Sequence, residues 1–116
     1  MQRAPSPKEE AISITMTVLY PDEEGSKFDW DYYVNSHMKL GAERLAGPEL
    51  LHIRVIKGLA GGAPGESPAY QAAALIHYES MDGLVSKLTE HGPEVMGDIP
   101  NYTSVQPLVQ FSEDMS

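Results

Sequence analysis

Apolar and polar residues alternate from Ala11 to Tyr20. Ile12, Ile14, Met16 and Val18 fall on one side, and Ser13, Thr15 and Thr17 on the other. A period of two predicts a half-buried β-strand. Pro21–Lys27 follows as an acidic, Gly-containing loop, and at Phe28 the pattern changes. Through FDWDYYVNSHMKL the apolar residues recur every three to four positions, which predicts a helix from Trp30 to Ala46. Asp29 suits the N-cap, and Asp31 puts a second carboxylate near the positive end of the helix dipole. Phe28 and Tyr33 have the spacing of a hydrophobic staple. Gly47 and Pro48 close the helix. On a wheel of about 100° per residue, Trp30, Tyr33, Val34, His37, Gly41 and Leu45 share the inner face, with Met38. Asp31, Lys39 and Glu43 face solvent. Trp30 and Leu45 are expected in the core.

The alternation returns at Leu51–Lys57, a second strand with Ile53 and Val55 on one face and His52, Arg54 and Ile56 on the other. Gly58–Pro68, with its GGAPG run, lacks the Lys-Ser/Thr of a phosphate-binding loop and reads as a hairpin connection. Tyr70–Tyr78 is a third strand with Ala72, Ala74, Ile76 and Tyr78 on one face. Ala73 and Leu75 make its other face apolar too. These small residues leave room either for a ligand or for close packing of another element. Met81–His91 is a second helix with Ser80 as its cap, a stripe of Met81, Leu84, Val85 and Leu88, and Gly92-Pro93 as its stop. Pro93–Thr103 is irregular, with one short helical turn. Val105–Phe111 is the last strand, and Pro107, which donates no hydrogen bond, places it at an edge or a bulge.

The resulting order, β-α-β-β-α-β, is a ferredoxin-like α+β sandwich. It forms one domain, residues 1–116, with 1–10 and 112–116 as loose tails. Helices cover one sheet face, and a second copy packed sheet on sheet would cover the other.

Composition narrows the partners. The net charge of −9 opposes nucleic acid and anionic membrane surfaces, and leaves a small neutral molecule or another copy of the chain. No apolar run is long enough to cross a bilayer. The polar N-terminus, without a signal-peptide core, and the lack of cysteine suit the cytoplasm. His37, His52, His77 and His91 have no helical metal-ligand spacing, so no metal is expected. The candidate set is His37, Tyr33 one turn before it, Arg44 two turns after it, and the loop Asp98–Thr103. His37 sits near the middle of an apolar face. A core histidine with local partners and a histidine lining a pocket fit that position equally well. In a pocket it would exchange protons near neutral pH, with Tyr and Asn side chains stabilising a developing enolate or phenolate.

Leu19-Tyr20-Pro21, Phe28-Asp29, Tyr32-Tyr33, His37-Met38 followed by Leu40, and Asp98-Ile99-Pro100-Asn101-Tyr102-Thr103 resemble the EthD family. The family is named for a protein encoded with the ethyl tert-butyl ether degradation system, and the resemblance spans Ile12–Phe111. It implies a dimeric α/β barrel, a homodimer of ferredoxin-like subunits, each with an apolar pocket for a small hydrophobic ligand. The family's characteristic histidine falls on His37. Related EthD-like domains include decarboxylases and isomerases that work without cofactors on aromatic or polyketide-like substrates. The expectation is therefore cofactor-free decarboxylation or isomerisation of a small hydrophobic or aromatic substrate, in a degradation or polyketide-type pathway. His37 would be the acid/base, and Tyr33, Asn101 and Tyr102 would bind substrate. The alternatives are a non-catalytic ligand-binding or accessory protein of a degradation pathway, or an EthD-type oxidoreductase component that borrows its redox cofactor. One departure is Lys39, where the family often has proline two residues after the histidine; the helix can then run on unbroken.

Overall fold

The computed structural model describes residues 13–115. The loose tail expected at 1–10 and the inward side of Ile12 lie outside the described residues. Strand β1 spans Ile14–Pro21, β2 Leu50–Lys57, β3 Tyr70–Tyr78 and β4 Leu108–Glu113. They form one antiparallel sheet in the order β2-β3-β1-β4. Two helical segments pack on one face, giving the ferredoxin-like α+β fold. No helix among the described residues is long and apolar enough to cross a membrane.

The strand register turns the alternation into cross-sheet rows. Ile53, Ile76, Met16 and Phe111 align in one row on the helix side, and Val55, Ala74, Val18 and Val109 in the next. The opposite face carries a row of Ile56, Ala73, Leu19 and Leu108, then rows dominated by polar residues. There the His52 and His77 rings stack at 4.1 Å. β4 is an edge strand that starts just after Pro107, three residues later than the alternation suggests. It also takes in Ser112 and Glu113, which were expected in a tail. The main-chain N–H of Asp114 then donates to the Ser13 carbonyl at 2.9 Å. Gly58 lets the chain leave β2 beside β3, since a Cβ there would stand 2.0 Å from the Tyr70 carbonyl oxygen.

Residues 30–45, helix α1, comprise an α-turn at Trp30–Tyr32, a π-helical turn at Tyr33–His37 and an α-helix at Met38–Leu45. The Asp29 carboxylate caps the start, accepting from the Tyr32 N–H at 3.0 Å. The staple forms, with the Phe28 and Tyr33 rings 4.9 Å apart. The π turn is the feature that a regular wheel misses. Each of its residues rotates less than in an α-helix, so the inner face moves back toward Tyr33, His37, Gly41 and Leu45, all of them buried. Val34 is thereby turned out to solvent, at 51% exposed. Trp30 moves to the margin. It is half-buried rather than core, packed on Phe28 at 4.8 Å with the Lys57 ammonium 5.4 Å from its ring. Leu45 is core, and Asp31, Lys39 and Glu43 are exposed, as expected. The helix ends without a left-handed glycine, because Gly25 and Gly65 are the positive-φ residues among those described. Instead the Tyr78 hydroxyl donates to the Leu45 carbonyl.

Helix α2 spans Met81–Gly97, capped by the Ser80 hydroxyl, which accepts from the Gly83 N–H at 3.0 Å. It does not stop at Gly92-Pro93. A proline usually pushes the preceding residue out of helical geometry through a clash with its Cβ, and Gly92 has none. Of the expected stripe, Leu84 is fully buried and Leu88 half-buried, while Met81 and Val85 are exposed. A short 3₁₀ turn, Ile99–Asn101, follows.

Candidate functional site

Between the helices and the sheet lies a cavity of about 450 Å³, within the range of small-molecule sites. Of its nineteen lining residues only Tyr20, Tyr33 and His37 carry polar side chains, and none is Lys, Arg, Asp or Glu. β1 delivers Tyr20 through its inward alternation, and α1 delivers Tyr33 and His37 through the π turn. Gly41, one turn on, keeps the wall open, since a Cβ there would meet no heavy atom within 4 Å.

His37 is held from behind. Its Nδ1 lies 3.0 Å from Asp98 Oδ2. Asp98 Oδ1 accepts from the Tyr32 hydroxyl at 2.6 Å and from Asn101 Nδ2 at 2.9 Å. Burial pushes the Asp98 carboxyl up, but hydrogen bonds from Tyr32, Asn101 and His37 outweigh it and hold the group below its ordinary value. A carboxylate only accepts, so the imidazole proton sits on Nδ1 and Nε2 keeps its lone pair. Burial lowers the His37 pKa; the hydrogen bond to Asp98 and its charge oppose this and do not overcome it. His37 is therefore a neutral imidazole near pH 7. Asp98 does not line the cavity and His37 does, so Nε2 is the nitrogen open to a ligand.

Tyr33 is fully buried, its ring stacked on that of His37 at 5.7 Å and 14°. Burial and the nearby Tyr20 hydroxyl drive its pKa far up, so it stays a phenol. The two hydroxyls feel each other without reaching hydrogen-bond geometry. Tyr33 Oη is a buried polar atom with no hydrogen-bond partner. Such an atom costs free energy until something pairs with it. The Tyr20 hydroxyl is engaged by that of Tyr102 at 2.5 Å. Among the described residues no three His, Asp or Glu side chains converge to hold a metal ion.

No family model and no curated protein matches the chain. Solved structures do. An EthD-like protein from Ralstonia eutropha superposes with a TM-score of 0.85 at 38% identity, over 91% of this chain and 95% of that one. The chain belongs to the EthD-like family. An EthD family protein from Bacillus halodurans superposes at TM-score 0.67 and 18% identity, over 89% and 99% of the two chains. A dimeric ferredoxin-like protein of unknown function from Thermobifida fusca does so at 0.59 and 15%, over 90% and 93%, a likeness of fold.

In this EthD-like chain the structure brings His37 and Tyr33 together on the cavity wall. Asn101 and Tyr102 stand one layer back. Asn101 is exposed and holds Asp98, while the Tyr102 ring packs 4.5 Å from His37 and its hydroxyl holds Tyr20. Arg44 lies outside, paired with Glu94 through Nε at 2.7 Å and its second nitrogen at 3.1 Å. Two members of the site, Tyr20 and Asp98, have no role assigned by the sequence pattern. Tyr20 could have been given one, because it continues the inward alternation of β1. Asp98 had only its place in the Asp98–Thr103 loop to mark it.

Proposed function

We propose that this EthD-like protein binds a small hydrophobic molecule in the cavity and performs cofactor-free acid/base chemistry on it. The observation that carries the reading is the buried imidazole on the cavity wall, with Nδ1 held by Asp98 and its ring stacked on that of Tyr33, whose hydroxyl is unpaired. His37 Nε2 takes a proton from a carbon or oxygen acid of the ligand. The imidazolium that forms is stabilised by the Asp98 carboxylate on its far side. Tyr33 donates its hydroxyl proton as a hydrogen bond to the enolate or phenolate oxygen that develops. Return of the proton at another position completes an isomerisation. Asn101 and Tyr102 act as positioning residues, through Asp98 and Tyr20.

The reading includes a homodimer formed through the open sheet face. The apolar row Ile56, Ala73, Leu19 and Leu108 on that face supports it, as does the Thermobifida fusca relative in fold, described as dimeric. Light scattering on dilution should show a dimer at micromolar concentration; a folded monomer there would refute this part.

The catalytic part is tested by deuterium exchange into the methyl group of 1-acetonaphthone in D₂O. The parent should accelerate exchange, and His37→Gln should lose roughly 10²- to 10⁴-fold of that acceleration. Equal rates in parent and variant would contradict the role of His37.

A further inference from the structure

We infer that the molecule this cavity takes is uncharged, with a single carbonyl or phenolic end seated between Tyr33 Oη and His37 Nε2, and that carboxylates are refused. The inference rests on the cavity being the reaction site and goes on to name the substrate class. The wall carries no cation. Its remaining sixteen residues are apolar or glycine, including Met16, Val18, Leu45, Ile76 and Phe111. A carboxylate placed there would be buried without a counter-ion, a cost that a hydrogen bond from one phenol does not offset, and Nε2, with its lone pair, donates none. The nearest built-in charge makes this worse. The Asp98 carboxylate lies across the His37 ring, 3.0 Å from Nδ1, so a ligand carboxylate at Nε2 would face a like charge through a single imidazole. None of the described Lys or Arg side chains lines the cavity; Arg44 is taken by Glu94 and Lys57 sits over Trp30.

The unpaired Tyr33 hydroxyl supplies the positive half of the argument. Tyr33 borders the cavity, its hydroxyl lacks a partner, and at 0% exposed that hydroxyl meets a ligand oxygen once the wall around it opens. A neutral oxygen acceptor satisfies it without bringing charge into the site. A ligand with one polar end and a hydrocarbon body therefore matches both the orphan donor and the apolar wall. Among cofactor-free reactions this selects proton transfer within an uncharged ketone or phenol. Loss of carbon dioxide is disfavoured, because its substrate carries the carboxylate that the wall excludes.

Three probes of one size separate the possibilities: 1-acetonaphthone, 1-naphthol and 1-naphthoate, with binding measured by calorimetry at neutral pH. The neutral pair should bind roughly tenfold or more tighter than the naphthoate. Tyr33→Phe, which keeps the ring and removes the orphan hydroxyl, should fold normally and weaken acetonaphthone binding by about fivefold or more. Gly41→Leu should fill the cavity and abolish binding of all three while the protein stays folded. Naphthoate binding as tightly as the ketone, no effect of Tyr33→Phe, or no binding of either neutral probe at millimolar concentration would each overturn the inference. The catalytic reading fails separately. If His37→Gln exchanges deuterium as fast as the parent while the neutral probes are still preferred, the base assignment falls and the substrate class stands.

Discussion

α1 and α2 wall the same cavity, yet α1 alone puts polar atoms into it. α1 is fixed by an aromatic cluster. The rings of Phe28, Tyr20, Tyr33 and Tyr102 meet edge-on or tilted at 4.9–6.0 Å, and Asp29 caps its first turn. Within that cluster the π turn sets the facing of Tyr33 and His37. α2 is longer and plainer. Leu84 is its buried anchor, Met81, Val85 and Met96 are exposed, and it offers the cavity an apolar side. Its polar contact with α1 comes just past its end, where Asp98 reaches back to His37. Packing precision is concentrated around Tyr33 and His37, and the opposite wall sets the room available.

That contrast can be broken at its anchor. Leu84→Ala should cost about 2–5 kcal/mol in chemical denaturation, because Leu84 is fully buried. It should leave His37-dependent exchange close to the parent rate wherever the protein is folded. A loss of exchange beyond the loss of folded protein would show that α2 shapes the reacting groups as well.

A smaller effect is expected at the link between the two helices. Asp98→Asn should slow exchange by about 1–3 kcal/mol of barrier, since it exchanges a charged hydrogen bond for a neutral one. It also removes the influence that raises the His37 pKa. The folded value of His37 already lies below the ordinary 6.5, so the unfolded chain takes up its proton first. Its share of stability is complete above about pH 6.5 and is lost as pH falls toward the folded value. In Asp98→Asn that loss should be larger, seen as a steeper fall in Tm between pH 6.5 and 5. His77 is lowered as well, chiefly by burial, so the comparison is made in a His77→Gln background. An unchanged Tm profile would detach Asp98 from His37.

The order of elements and the inward sides of β1, β2 and β3 could be read from the sequence because strand alternation survives in any sheet. The Asp29 cap and the Phe28–Tyr33 staple could be read because they depend on near neighbours alone. The π turn could not. A widening of one turn leaves no mark in a periodic pattern, and it displaced Val34 and Trp30 from their expected places. The continuation of α2 through Pro93 depended on the missing Cβ of Gly92. At the site, His37 and Tyr33 were visible as polar rings on an apolar stripe. The Asp98 contact joins residues 61 apart, and no local pattern announces it. Asn101 and Tyr102, expected to bind substrate, are not among the residues that line the cavity, because neighbours in a loop point to different layers.

The mildest prediction bears on the room in the wall. Gly41→Ala should stabilise the protein by about 0.5–1 kcal/mol, since a helical glycine gains a side chain that meets nothing. A destabilised variant would mean that the space at Gly41 is filled.

The direct test of the account is nitrogen NMR of the His37 imidazole, titrated from pH 5 to 8 with and without 1-acetonaphthone. The account predicts a proton on Nδ1, a midpoint below the ordinary 6.5, and an Nε2 resonance that shifts when the ketone binds. A proton resident on Nε2, a midpoint above 6.5, or an Nε2 signal indifferent to bound ketone would contradict it.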